Sequence, residues 1–172
     1  MSRPKVGAIG FFLLISLVLS AVATFTKYWI VRYRISNNEQ LGGYGIIPYD
    51  SSLPVWFVAC SLMMYVALAL FIPLIFAYLH VSYKVHHHGC CHGIRPNFHS
   101  ISVLCTLIAL LEIVTFVLMA INASDYFGLW DNNIKMLSSK MGYSSYLALA
   151  AGICSFITGS IAAHVSHHDC HY

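Results

Sequence analysis

The sequence predicts an all-α membrane protein, a four-helix transmembrane bundle with a small β-hairpin or sheet supplied by its first outer loop. Two observations predict it. Hydrophobic residues make up 59% of the 172 positions and charged residues only 9%, against about 25% charged in a soluble domain that faces water on every side. Four apolar runs, 6–26, 53–83, 100–122 and 143–165, each reach the ~20 residues that a helix needs to cross ~30 Å of hydrocarbon. Barrel strands would be about half as long and would alternate polar with apolar. A formal charge of +3 with scattered Lys and Arg excludes an extended nucleic-acid surface. A chain of this length reads as a single domain.

The first run follows Arg3 and Lys5 and contains Ala21-Val22-Ala23, which looks like a small-residue cleavage site. Its apolar stretch exceeds the usual signal-peptide core, which favours a retained span. The second run is roughly 31 residues, or ~46 Å at 1.5 Å per residue, so it tilts or extends beyond the bilayer. Pro73 removes a backbone donor from it and predicts a bend. Among Asp, Glu, Lys and Arg, only Glu112 falls within a span, near the middle of the third.

Outer loops then cover 27–52 and 123–142, the inner loop 84–99 and a short tail 166–172. With the chain start inside, the inner segments hold Arg3, Lys5, Lys84 and Arg95, and the outer loops hold Lys27, Arg32, Arg34, Lys135 and Lys140. The inner segments are shorter, so their density of positive charge is higher, and the residues ahead of the first helix usually dominate. All ten histidines also fall on that one face. These asymmetries predict cytosolic N- and C-termini, with the plasma membrane as the expected location. Cys90, Cys91 and Cys170 then face a reducing compartment, and no disulfide framework is implied.

In the first outer loop, Trp29, Val31, Tyr33 and Ile35 alternate with Ile30, Arg32 and Arg34, the period of a strand with one covered face. Asn37-Asn38 marks a turn, and 42–47 supplies a short return strand. Tyr28-Trp29-Ile30-Val31 directly after the first span, and Gly142-Tyr143-Ser144-Ser145-Tyr146-Leu147-Ala148 opening the fourth, resemble the claudin, peripheral myelin protein and epithelial membrane protein superfamily. The order of short inner ends, first outer loop and smaller second outer loop is similar too. The resemblance implies a structural, adhesive or cell-junction role, and no resident cofactor is expected. Members of that superfamily also carry Gly-Leu-Trp and a cysteine pair in the first outer loop, which form a disulfide. This loop has neither, and Gly128-Leu129-Trp130 lies in the second outer loop. The MARVEL proteins are a rival resemblance, similar in size and in an acidic residue of the third span.

Several residues are candidates for function. Trp29, Tyr33, Tyr44, Tyr126, Phe127 and Trp130 are outer-loop aromatics of the type enriched at binding hot spots; the alternative is a belt at the membrane interface. A charged Glu112 at mid-bilayer would cost at least ~2.5 kcal/mol. It reads either as a proton or cation site facing the bundle interior or as a neutral residue holding helices together. Ala151, Ser155, Gly159 and Ala163 recur every four residues on the fourth span, and Ser16, Ser20 and Thr24 on the first. Such small-residue ridges let helices approach closely, within the bundle or between copies.

His86, His87, His88, Cys90, Cys91 and His92 crowd the inner loop, and His167, His168, Cys170 and His171 the tail. Imidazole and thiolate are ligands for zinc or copper, although the spacing matches no established site. Cys90, Cys91 and Cys170 are alternatively juxtamembrane sites of palmitoylation. Asn122-Ala123-Ser124 is a sequon placed against the end of the third span. Phosphate loops, nucleophile elbows and paired carboxylates are absent, so no enzyme is predicted. Besides an adhesive role, the resemblance implies as an alternative an auxiliary subunit of a channel or receptor, with other membrane proteins as partners. A metal-responsive protein is a further reading, and a single intramembrane carboxyl argues against a transporter.

Overall fold

The computed structural model of the chain describes residues 3–34, 39–47, 53–88, 95–126 and 137–168. Its elements run α1 (Arg3–Phe25), β1 (Ile30–Arg34), β2 (Glu39–Tyr44), α2 (Val55–His88), α3 (Arg95–Tyr126), β3 (Leu137–Met141) and α4 (Tyr143–His168). All four helices are long and apolar enough to cross a membrane. Because a bilayer offers no partner to a bare backbone group, a spanning segment must close its hydrogen bonds internally, and the helix does so within one segment.

Local sequence sets where these helices begin. Pro4 and Pro96 stand second in α1 and α3, where a missing N–H leaves no intrahelical bond unmade. Pro54 precedes α2, and its carbonyl accepts from the N–H groups of Phe57 and Val58 at 2.9 and 3.1 Å. Pro73, expected to bend the second span, sits inside α2 without interrupting it. α2 continues to His88, so its last turns pass beyond the predicted apolar run.

Two apolar cores stack along the bundle. One, towards the histidine-bearing end, joins Ile9, Phe71, Phe98, Ile101 and Ile108. The other, beneath the sheet, joins Trp29, Ile30, Ile46, Phe57, Met64 and Met119. Large apolar side chains also point outward on every helix, among them Phe11, Phe76, Leu110 and Phe156, as a lipid-facing surface requires. In lipid these surfaces supply no hydrophobic drive between helices, so close packing and interhelical hydrogen bonds hold them together.

α4 is the hub of the bundle, packed extensively on both α3 and α1, whereas α1 meets α2 over a smaller area. Ser16 Oγ lies 2.9 Å from the Ala151 carbonyl and 2.6 Å from Ser155 Oγ, closing the α1–α4 seam with polar contacts. On the facing side of α4, a Cβ added at Gly152 would lie 3.3 Å from Glu112 Cβ, and one at Gly159 3.1 Å from Cys105 Cβ. The small residues of α4 therefore serve two neighbours.

The sheet has three strands in the order β2-β1-β3, both pairs antiparallel. The sequence predicts a hairpin or sheet from the first loop; the third strand comes from the segment before α4, and the return strand occupies Glu39–Tyr44 rather than 42–47. The β1–β2 register shifts between Arg32 and Tyr33, where Arg32 faces Gly42 and Tyr33 faces Gln40. Leu41 is the extra residue of this bulge, and Gly42 adopts φ 151°, a conformation that side chains disfavour.

Candidate functional site

The sheet end is where the strands of the α1–α2 and α3–α4 connections meet, and Trp29 is its anchor. The alternation of this segment predicts one covered face, yet Trp29, Ile30 and Val31 are all buried. Each polar group of Trp29 has a partner. Its indole N–H donates to the Ala23 carbonyl at 2.7 Å, and its backbone N–H donates to Tyr44 at 3.0 Å. Its carbonyl accepts from Gly142 N–H at 2.9 Å and from the Ser145 hydroxyl at 3.1 Å. One residue thus ties the end of α1, the return strand and the start of α4.

Neighbouring groups complete the junction. The Thr26 hydroxyl lies 2.8 Å from the Val22 carbonyl and 2.6 Å from the Ser144 hydroxyl, so it closes the frayed end of α1. Ser144 N–H donates to the Tyr28 carbonyl at 3.2 Å. A Cβ at Gly142 would overlap the Tyr28 carbonyl, and one at Gly43 would overlap the Lys27 carbonyl. Both positions exist as glycine because two backbones touch there. The Gly-aromatic-Ser-Ser opening of the fourth helix is visible in the sequence. Its contact with Tyr28-Trp29 is not, since nothing in a single chain pairs segments 116 residues apart.

The two faces of the sheet differ. Ile30, Tyr44 and Met141 turn towards the helices and pack on the core beneath, and the Ser139 hydroxyl donates to the Ala123 carbonyl of α3 at 2.6 Å. On this face the Arg32 guanidinium lies 4.5 Å from the centre of the Tyr44 ring, a cation–π contact. By alternation, Tyr33 and Lys140 occupy the other face, with the ammonium 5.6 Å from the Tyr33 ring. Below them the rings of Tyr28 and Tyr143 lie 5.3 Å apart, both exposed.

The expected contact residues therefore separate. Tyr33 lies on the outward face and Tyr44 on the inward one. Trp29 requires a correction: it is 0% exposed, so its ring is a structural anchor and presents no surface to a partner. Tyr126 ends α3, with its side chain outside the described set, and Phe127 and Trp130 lie outside the described residues. Tyr28 and Tyr143, members of the two motifs but not among the expected contacts, join the surface together with Lys140, which lies two residues before the second motif.

Glu112 is wholly buried, facing Ser20 of α1 and packed beside Gly152 of α4. Neither of its carboxyl oxygens nor the Ser20 hydroxyl is within hydrogen-bond geometry of a partner. It lies inside the bundle, as both readings of it require. Ala151, Ser155 and Gly159 are buried between helices, and Ala163 is half-buried. Asn122 is within α3, its amide donating to the Leu118 carbonyl at 2.8 Å, so the sequon sits in helical backbone.

At the opposite end, His86 and His87 stack edge-on at 5.7 Å, and the Tyr83 ring lies 4.6 Å from His87. His88 and His168 end their helices with side chains outside the described set, and His167 is exposed on α4. Cys90, Cys91, His92, Cys170 and His171 lie outside the described residues. Among the described residues no three His, Cys, Asp or Glu side chains gather as metal ligands. Cys60, Cys105 and Cys154 are free thiols.

A family model described as tight junction protein, claudin-like, matches residues 1–172. No curated protein matches the chain.

Proposed function

Since the chain belongs to the claudin-like family of tight junction proteins, we propose that it is a structural, adhesive protein of cell contacts that works through its sheet and the lateral faces of its helices. The four long apolar helices make it a multi-pass membrane protein. In this reading the sheet lies outside the plasma membrane and both chain ends lie in the cytosol. It catalyses no reaction and needs no bound metal.

The observation that carries the proposal is the junction itself. A three-stranded sheet on a helix bundle would be a mobile appendage if two loops alone held it. Here the Trp29 carbonyl, the Tyr28 carbonyl and the Thr26 hydroxyl bond to the first residues of α4 and its preceding glycine. The sheet and the bundle then behave as one rigid body, and a rigid aromatic surface loses little conformational entropy when it docks. Where the superfamily fastens its first loop with a disulfide, this chain fastens it by hydrogen bonds to its last helix.

Tyr33 and Lys140 are the contact residues on the outward face. Tyr28 and Tyr143 sit where α1 and α4 emerge, which suits an aromatic belt at the membrane surface. The test is a cell-mixing assay with tagged protein in cells that make no junctions of their own. Enrichment at borders between two expressing cells supports an adhesive role. Uniform distribution, together with co-purification of a channel, replaces it with the auxiliary-subunit reading.

A further inference from the structure

α1 and α2 approach closely at one point near the histidine-bearing end. A Cβ at Gly10 would overlap the Tyr78 hydroxyl, so the tyrosine ring lies directly against the α1 backbone. Its hydroxyl donates to the Val6 carbonyl at 3.4 Å. Beside that contact a cleft of ≈ 210 Å³ opens, lined by Val6, Gly7, Tyr78, Ser82, Val85 and His86. This exceeds the ~150 Å³ that accommodates a benzene-sized ligand.

The lining divides by chemistry. Tyr78, Ser82 and His86 are spaced four apart on α2 and form one polar stripe, while Val6 and Val85 are apolar. Lys5 and Lys84 flank these residues in sequence, and Arg95 begins α3 at the same end. Among the described residues this end holds no Asp or Glu side chain. A cleft at the mouth of a transmembrane bundle, apolar on one side, hydroxylic and imidazole-bearing on the other, and near an end whose described Asp, Glu, Lys and Arg residues are all basic, complements an anionic phospholipid. We propose that this cleft binds one anionic phospholipid, its phosphate held by Ser82 and His86 near the mouth and its upper chain against the deeper Tyr78 ring and Val6. Juxtamembrane basic residues attract such lipids; the cleft adds a seat for one molecule. The proposal concerns the opposite end from the sheet and stands whether or not the adhesive reading does.

The test uses the full chain in detergent micelles, supplied with equal phosphatidylserine and phosphatidylcholine, with the retained lipids counted by native mass spectrometry. The wild type is expected to retain phosphatidylserine over phosphatidylcholine by roughly fivefold. Gly7 lines the cleft and a Cβ there meets nothing within 4 Å, so Gly7→Leu adds bulk at the cleft wall without a backbone clash at its Cβ, and it is expected to abolish the preference. Ser82→Ala and His86→Ala, both on the cleft wall rather than in the core, are each expected to reduce it. Equal retention of both lipids by the wild type overturns the proposal. So does an undiminished preference in Gly7→Leu, or in both α2 variants. Displacement of the lipid by inorganic phosphate at equal concentration would show a free-anion site and equally overturn it.

Discussion

Gly142 donates its backbone N–H to the Trp29 carbonyl at 2.9 Å, at a point where the two backbones are too close for any side chain on residue 142. This contact joins the first and last helices through the sheet, and it makes the junction sensitive to a single methyl group.

Gly142→Ala forces its Cβ into the Tyr28 carbonyl and is expected to destabilise the protein by ~1–3 kcal/mol, as overpacking does. Gly7→Ala, whose Cβ meets open space inside α1, serves as the control and is expected to be neutral or to stabilise by up to ~1 kcal/mol, because Ala is the better helix former. Thermal melts in detergent followed by circular dichroism distinguish the two.

Trp29 is expected to separate volume from hydrogen bonding. Trp29→Ala empties a fully buried site and should cost ~3–5 kcal/mol. Trp29→Phe keeps most of the ring but removes the donor to the Ala23 carbonyl, which the Thr26 hydroxyl also reaches at 3.2 Å. Losing that hydrogen bond should cost ~1 kcal/mol, in addition to the cavity left by the missing pyrrole ring.

The α1–α4 seam offers a double-mutant cycle. Ser16→Ala and Ser155→Ala each remove one hydroxyl of a pair 2.6 Å apart. Interhelical hydrogen bonds in membranes average ~0.6 kcal/mol, so the coupling measured in steric-trap or mild-denaturant unfolding should be of that size. Ser16→Leu, which blocks the close approach, should disrupt folding far more.

Glu112 lies buried in the bundle facing the Ser20 hydroxyl, with neither carboxyl oxygen in close hydrogen-bond geometry. Glu112→Gln, nearly identical in shape, is therefore expected to leave assembly and contact enrichment unchanged. Glu112→Lys would place a fixed charge at mid-bilayer, costing at least ~2.5 kcal/mol, and should abolish surface expression. Loss of contact enrichment in a well-folded Glu112→Gln would instead reveal an ionic role.

The parts of this fold legible in the sequence are those set by length and composition. Lipid demands ~20 apolar residues per span, so the four helices, and the gathering of the described histidines at one end of them, follow directly. The alternation from Trp29 to Ile35 likewise announced a strand. Partnership was not legible. β3, Leu137–Met141, contains Ser138, Ser139 and Lys140 and carries little strand signal of its own; it is a strand because β1 and the Ala123 carbonyl complete its bonds. Trp29 shows the same limit. An aromatic in a loop reads as a contact residue by type, and only the fold reveals that its indole points inward to the end of α1.

The central claim is that the outward face of the sheet, held rigid by the Trp29–Gly142 junction, makes cell contact. The most direct measurement compares border enrichment of wild type and Tyr33→Ala/Lys140→Glu in the cell-mixing assay, at matched surface expression and melting temperature. The account predicts that the double variant reaches the surface, melts like the wild type and spreads uniformly over the cell. Undiminished enrichment of that variant at borders between expressing cells would contradict it.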